Sequence, residues 1–197
     1  MKKIFTLFAV AAMLLMVGCK PNPVSILNQS KADYAEVVAE MPDSLVAFYE
    51  VEMVLDKPIS ELNHGQEVQL LSAVTVIQMS DSVKFITREY DKKNQIASCE
   101  VEKEKGFWLG DFNMPLDSLN LDFADAIQRL KETNIVLPEA DKVTLRKPAA
   151  PPFRTYYIFG TKGTFFVDVD AITGEVSEYQ APEDDFVGIK INEEVAE

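Results

Sequence analysis

From residue 68 to residue 112 the chain repeats one pattern, a strand-like run followed by a turn too short for a crossover. The runs are 68–79, 83–90, 95–103 and 107–112. The breaks are Ser80-Asp81-Ser82, Asp91-Lys92-Lys93-Asn94 and Glu104-Lys105-Gly106. Turns of about two to five residues join antiparallel neighbours, whereas a parallel pair needs a connection of roughly a dozen or more. The segment therefore predicts an antiparallel meander and excludes doubly wound and barrel α/β folds. A further run at 45–55, rich in valine and aromatic residues, adds a strand ahead of it, and 57–67 reads as an irregular connection.

Helices precede each group of strands. Ser30 is placed to cap a short helix over 31–40 in which Tyr34, Val37 and Val38 share a face. Asp122 is placed to cap a second, with Asp125 in its first turn. There Phe123, Ala126, Ile127 and Leu130 form one apolar stripe, and Asn134 is a candidate terminator. Strands at 142–146, 155–160, 163–170 and 175–180 follow. Gly160-Thr161-Lys162-Gly163 reads as a tight hairpin, Phe165, Val167 and Val169 as core-facing, and Gly174 as a turn residue with positive φ. The prolines of 147–153 predict a stiff loop outside any central strand. The fold class expected is α+β, with antiparallel meanders each packed by a helix.

The amino terminus has another purpose. Lys2 and Lys3 precede a mostly apolar stretch, 4–17, and then Gly18 and Cys19. As a helix, that stretch would reach ~21 Å, short of the ~30 Å hydrocarbon core, so it reads as an export signal rather than a membrane span. Met16-Val17-Gly18-Cys19 resembles the lipobox of bacterial lipoproteins, which usually has leucine where Met16 stands. The resemblance implies removal of 1–18, acylation of the Cys19 sulfur, and a lipidated tether over 19–30 stiffened by Pro21 and Pro23. Two or more acyl chains suffice to hold a protein at a membrane. Lys20 in place of aspartate implies, by the same resemblance, the outer membrane, with the domain on its periplasmic or surface side.

Charge narrows the partners. With 19 basic and 32 acidic residues, a formal charge of −13 opposes binding to nucleic acid. Once Cys19 is acylated only Cys99 remains, so no intramolecular disulfide forms, and Cys99 is expected to face the core beside Ala97 and Val101. His64 is the only histidine, in a loop with no partner motif. Nucleophile-elbow, Walker, dinucleotide-binding and zincin signatures are absent. Asp168, Asp170 and Glu175 only partly match a calcium loop, since Ile172 and Thr173 occupy a ligand position and the glycine position. The acidic tail, 182–197, reads as solvated. No enzyme chemistry, metal or cofactor is expected. The candidate binding surface is instead aromatic: Tyr156, Tyr157 and Phe159, close together on one strand, and Trp108.

The order from Asp122 to Gln180, one helix and then a four-stranded meander, resembles the PepSY module. The specific part is Phe165-Phe166-Val167-Asp168-Val169-Asp170-Ala171-Ile172-Thr173-Gly174-Glu175-Val176, similar to that family's closing hairpin. This assigns 117–181 to a PepSY-like unit. The first half, 31–116, repeats the order, and two such units in tandem resemble the arrangement of the β-lactamase inhibitor protein; one larger domain with a single sheet is the alternative. The resemblance implies a non-enzymatic envelope module that binds a protein or peptide and regulates or inhibits a secreted hydrolase. The competing expectation is a structural accessory subunit of an outer-membrane complex.

Overall fold

The computed structural model describes residues 25–179 except 43, 110, 150 and 161–164. The signal, Cys19, residues 161–163 of the expected hairpin turn and the acidic tail thus lie outside the described residues. The first helix, α1 (Ile26–Glu40), begins five residues earlier than expected. Ser25, not Ser30, caps it by accepting the backbone N–H of Asn28 at 3.1 Å. Ser30 instead lies on the buried stripe with Ile26, Asp33 and Val37, while Val38 faces solvent. The tether expected over 19–30 therefore gives way to helix at Ile26.

The strands are β1 (Ala47–Leu55), β2 (Leu70–Gln78), β3 (Ser82–Tyr90), β4 (Ile96–Lys105), β5 (Asp111–Phe112), β6 (Lys142–Pro148), β7 (Tyr156–Gly160), β8 (Phe166–Asp170) and β9 (Val176–Tyr179). Short 3₁₀ turns occupy Ile59–His64 and Leu116–Ser118, and α2 (Phe123–Lys131) precedes β6. All pairings are antiparallel, in the order β4-β3-β2-β1-β6-β7-β8-β9, with β5 beside the end of β6. The fold is α+β around one continuous nine-stranded sheet. Its two meanders meet through their first strands, β1 and β6, so neither exposes a central edge.

Alternation sorts side chains into two faces. Ile86, Thr75, Val51, Leu145, Tyr157 and Val169 are successive cross-strand neighbours and all are buried. Both helices cover this face. From β3, Arg88 reaches Asp33 of α1, and Tyr157 of β7 packs its ring 6.4 Å from Phe123 of α2. Asp122 caps α2 and also accepts the backbone N–H of Leu27 at 3.2 Å, so one carboxylate serves the starts of both helices. Its helix ends at Lys131, short of Asn134.

Other expectations are corrected. Of the predicted strand 107–112, only Asp111–Phe112 pairs. Strand β6 runs on through Pro148, inside the expected proline loop, because its neighbour there is the two-residue β5. Cys99 does share a face with Val101, but on the edge strand β4, beyond the reach of α1, so it is exposed. Gly174 takes φ 75°, as its turn requires. No helix among the described residues is long and apolar enough to cross a membrane.

Candidate functional site on the helix-free face

The second row of cross-strand neighbours, on the face away from the helices, runs Glu102, Phe85, Val76, Glu50, Arg146, Tyr156, Asp170. A bulge in β1 between Phe48 and Glu50 makes this possible. Regular alternation would put both residues on one face. The extra residue sends Phe48 into the core and turns Glu50 to the helix-free side.

A strap made of residues 106–109 and 111–113 crosses this row. Gln78 of β2 grips its start: the Trp108 backbone N–H donates to Gln78 Oε1 (2.7 Å), and Gln78 Nε2 donates to the Gly106 carbonyl (3.1 Å). The Trp108 ring meets Phe85 edge-on at 5.9 Å. Asp111 bonds to Glu50 and lies 3.6 Å from Arg146 Nη1. At the far end the Phe48 N–H donates to Asn113 Oδ1 (3.1 Å), and the Met114 N–H donates to the Phe48 carbonyl (2.7 Å). Beneath the strap Val76 is 1% and Glu50 4% exposed.

Burial, the hydrogen bond and charge of Asp111, and the charge of Glu52 together push the Glu50 carboxyl up to about 8. At neutral pH, Glu50 is thus protonated. A carboxyl that keeps its proton at neutral pH is acid–base material, but this one lies buried beneath the strap. Arg146 Nε and Trp108 Nε1 are buried without hydrogen-bond partners.

Of the predicted surface residues, the structure keeps two on this face. Tyr156 is half-buried in the row, and Trp108 is half-buried on the strap. Tyr157 and Phe159 are fully buried on the opposite face, and the Tyr157 hydroxyl donates to the Leu121 carbonyl at 3.0 Å. They are core, because a strand sends successive side chains to opposite faces. His64 ends a 3₁₀ turn and is exposed. Burial raises Asp170, but the backbone N–H groups of Thr173 and Ile172 and the guanidinium of Arg154 outweigh it and hold the carboxyl below its usual range. Among the described residues no three His, Cys, Asp or Glu side chains gather as metal ligands would.

Glu50, Asp111 and Arg146 were not singled out from sequence. The run Tyr49-Glu50-Val51-Glu52-Met53 does show both glutamates alternating with apolar residues. Asp111 gives no local signal, since only the path of the strap brings it to Glu50. Exposed apolar side chains surround the site. Phe107 and Leu109 stand out from the strap, and Phe112 packs edge-on to Phe153 at 5.6 Å. No family model, curated protein or solved structure matches the chain.

Proposed function

We propose that this chain is an envelope lipoprotein, anchored through Cys19, that binds a protein or peptide on the helix-free face of its sheet and performs no catalysis itself. The observation that carries the reading is the exposed apolar side chains of the strap, Phe107, Leu109 and Phe112, the last packed on Phe153, where the strap crosses a sheet face that no helix among the described residues covers. Large apolar side chains grouped in this way mark recognition surfaces more often than solvated ones. The repeated order of helix then meander, with the meanders joined at their first strands, supports tandem PepSY-like units. By that resemblance, the bound partner is a secreted hydrolase that the lipoprotein regulates or inhibits.

Site-specific photo-crosslinking in intact cells tests this. A crosslinker at Phe107 or Tyr156 is expected to capture one defined partner, and one at Gln128, exposed on α2, is not. The same adducts from all three positions, or none, would remove the binding face. Capture of an integral outer-membrane protein would instead favour an accessory subunit docked to a membrane complex. Intact-mass measurement of the native protein tests the anchor, with an acylated chain beginning at Cys19 as the expected result.

A further inference from the structure

The sheet ends in two unlike edges. β9 is four residues long, whereas β4 runs for ten. The ladder of β4 with β3 is unbroken from Lys105 to Ser98, and no described strand pairs with its outer side. Alternate backbone N–H and C=O groups of such a strand point away from the sheet, ready to pair. Proteins usually guard an edge by shortness, proline, a bulge or a covering element. Between Ser98 and Lys105 the strand has no proline and no bulge, and every side chain but Ser98 is exposed. Charge is the guard that remains.

That charge is sorted by face. Glu100, Glu102 and Glu104 share the helix-free side, and Lys103 and Lys105 share the other with Cys99 and Val101. β3 answers neither set. Opposite the glutamates stand Thr87, Phe85 and Val83, and opposite the lysines stand Lys84 and Ser82. Lys84 is already engaged with Glu40 of α1, at 3.4 Å. Among the described residues none of these glutamates and lysines of β4 forms an ion pair. Their complement has to come from the outer side.

A second copy does not supply it. Two β4 strands joined across a two-fold axis run antiparallel with their faces matched, so glutamate meets glutamate and lysine meets lysine in every register. The chain's own acidic tail, 182–197, has Lys190 as its only base. We infer that the free edge of β4 accepts an extended strand of another protein, antiparallel, with lysine or arginine facing Glu100, Glu102 and Glu104 and carboxylates facing Lys103 and Lys105. Main-chain hydrogen bonds hold that strand, and the alternating charges set its register. The inference goes beyond the binding face above and does not rest on it, since the apolar side chains of the strap take no part.

The test uses labelled synthetic peptides and the full-length protein in detergent, with anisotropy for affinity and hydrogen exchange for location. The probe is Glu-Lys-Glu-Lys-Val-Lys-Val-Thr, written to lie antiparallel against Lys105 to Ser98. It is expected to bind about tenfold or more tighter than a peptide of the same composition with its lysines and glutamates in separate blocks. It should also slow exchange along β4. The triple variant E100K/E102K/E104K is expected to lose that preference, with E100Q/E102Q/E104Q serving if the first does not fold. E36K/D117K/E139K, which makes the same change of charge at exposed sites off the sheet, is expected to keep it. Equal affinity for the two peptides, equal loss in the off-sheet variant, or protection elsewhere than β4 would overturn the inference. So would protection of β4 that rises with protein concentration alone, the sign of a second copy. Crosslinking at Phe107 and Tyr156 reads another surface, so either result can fail while the other stands.

Discussion

Glu50 ties pH to stability through a plain sign. Its folded value of about 8 lies above its ordinary 4.5, so between those limits the folded chain holds a proton that the unfolded chain has released. Unfolding free energy therefore falls as pH rises across this window, by up to about 1.4 kcal/mol per unit. The contribution is complete below about pH 4.5 and gone above about pH 8, a total of a few kcal/mol. In E50Q this slope should disappear from denaturant melts taken across the window, leaving the variant more stable than the native chain at pH 8 and above. An unchanged slope would assign the linkage to another group. Arg88 gives the opposite lesson. It forms two hydrogen bonds, 2.7 and 2.5 Å long, to Asp33, whose side chain is almost wholly buried. Arg88→Ala strands that carboxylate and is expected to cost about 3–5 kcal/mol, whereas replacing both partners with apolar residues of similar volume should cost far less. A double-mutant cycle measured by chemical denaturation separates the two outcomes.

At the scale of elements, what could be read from the chain was whatever local periodicity determines. The stripe of α2, the cap at Asp122, the alternation of β8 and the turn at Gly174 all follow from neighbours in sequence, and all stand in the structure. Where a distant contact decides, local reading failed. Ser30 looks like a cap but is buried in α1, because Ser25, outside the restriction that a proline places on itself and on the residue before it, starts the helix first. Cys99 alternates as a core residue would, yet on the edge strand β4 it is exposed. Tyr157 and Phe159 were grouped with Tyr156 as rings on one strand, and only the position of the helices shows which face each serves. The bulge that turns Glu50 outward leaves no mark in composition. Asp122 was legible as the cap of α2, but its second bond, to Leu27 at the start of α1, was not. Asp122→Ala therefore removes a partner from two helices at once. It should destabilise the fold by about 2 kcal/mol or more, above the ~1 kcal/mol of an ordinary cap, and hydrogen exchange should rise in the first turns of both α1 and α2. Faster exchange confined to α2 would show that the bond to Leu27 contributes nothing.

Across the whole molecule, the seam between β1 and β6 decides whether the two halves are independent. The buried row from Ile86 to Val169 crosses it without a gap, through Val51 and Leu145, both fully buried. Separating the halves would expose an apolar edge on each, Asp122 would lose its bond to α1, and the strap would lose either Glu50 or Arg146. A repeat that needs its neighbour to close its sheet is not a separate folding unit. The expectation is one cooperative transition in denaturant, with Trp108 fluorescence, which reports the first half, coinciding with far-UV circular dichroism, which reports both. Leu145→Asp, which places an unpaired charge in the seam, should unfold the strands on both sides together. Two resolved transitions, or native Trp108 fluorescence surviving in that variant, would mean that each helix and its meander stand alone. The row from Phe85 to Tyr156 would then not be a rigid platform, and a partner could not rely on its spacing.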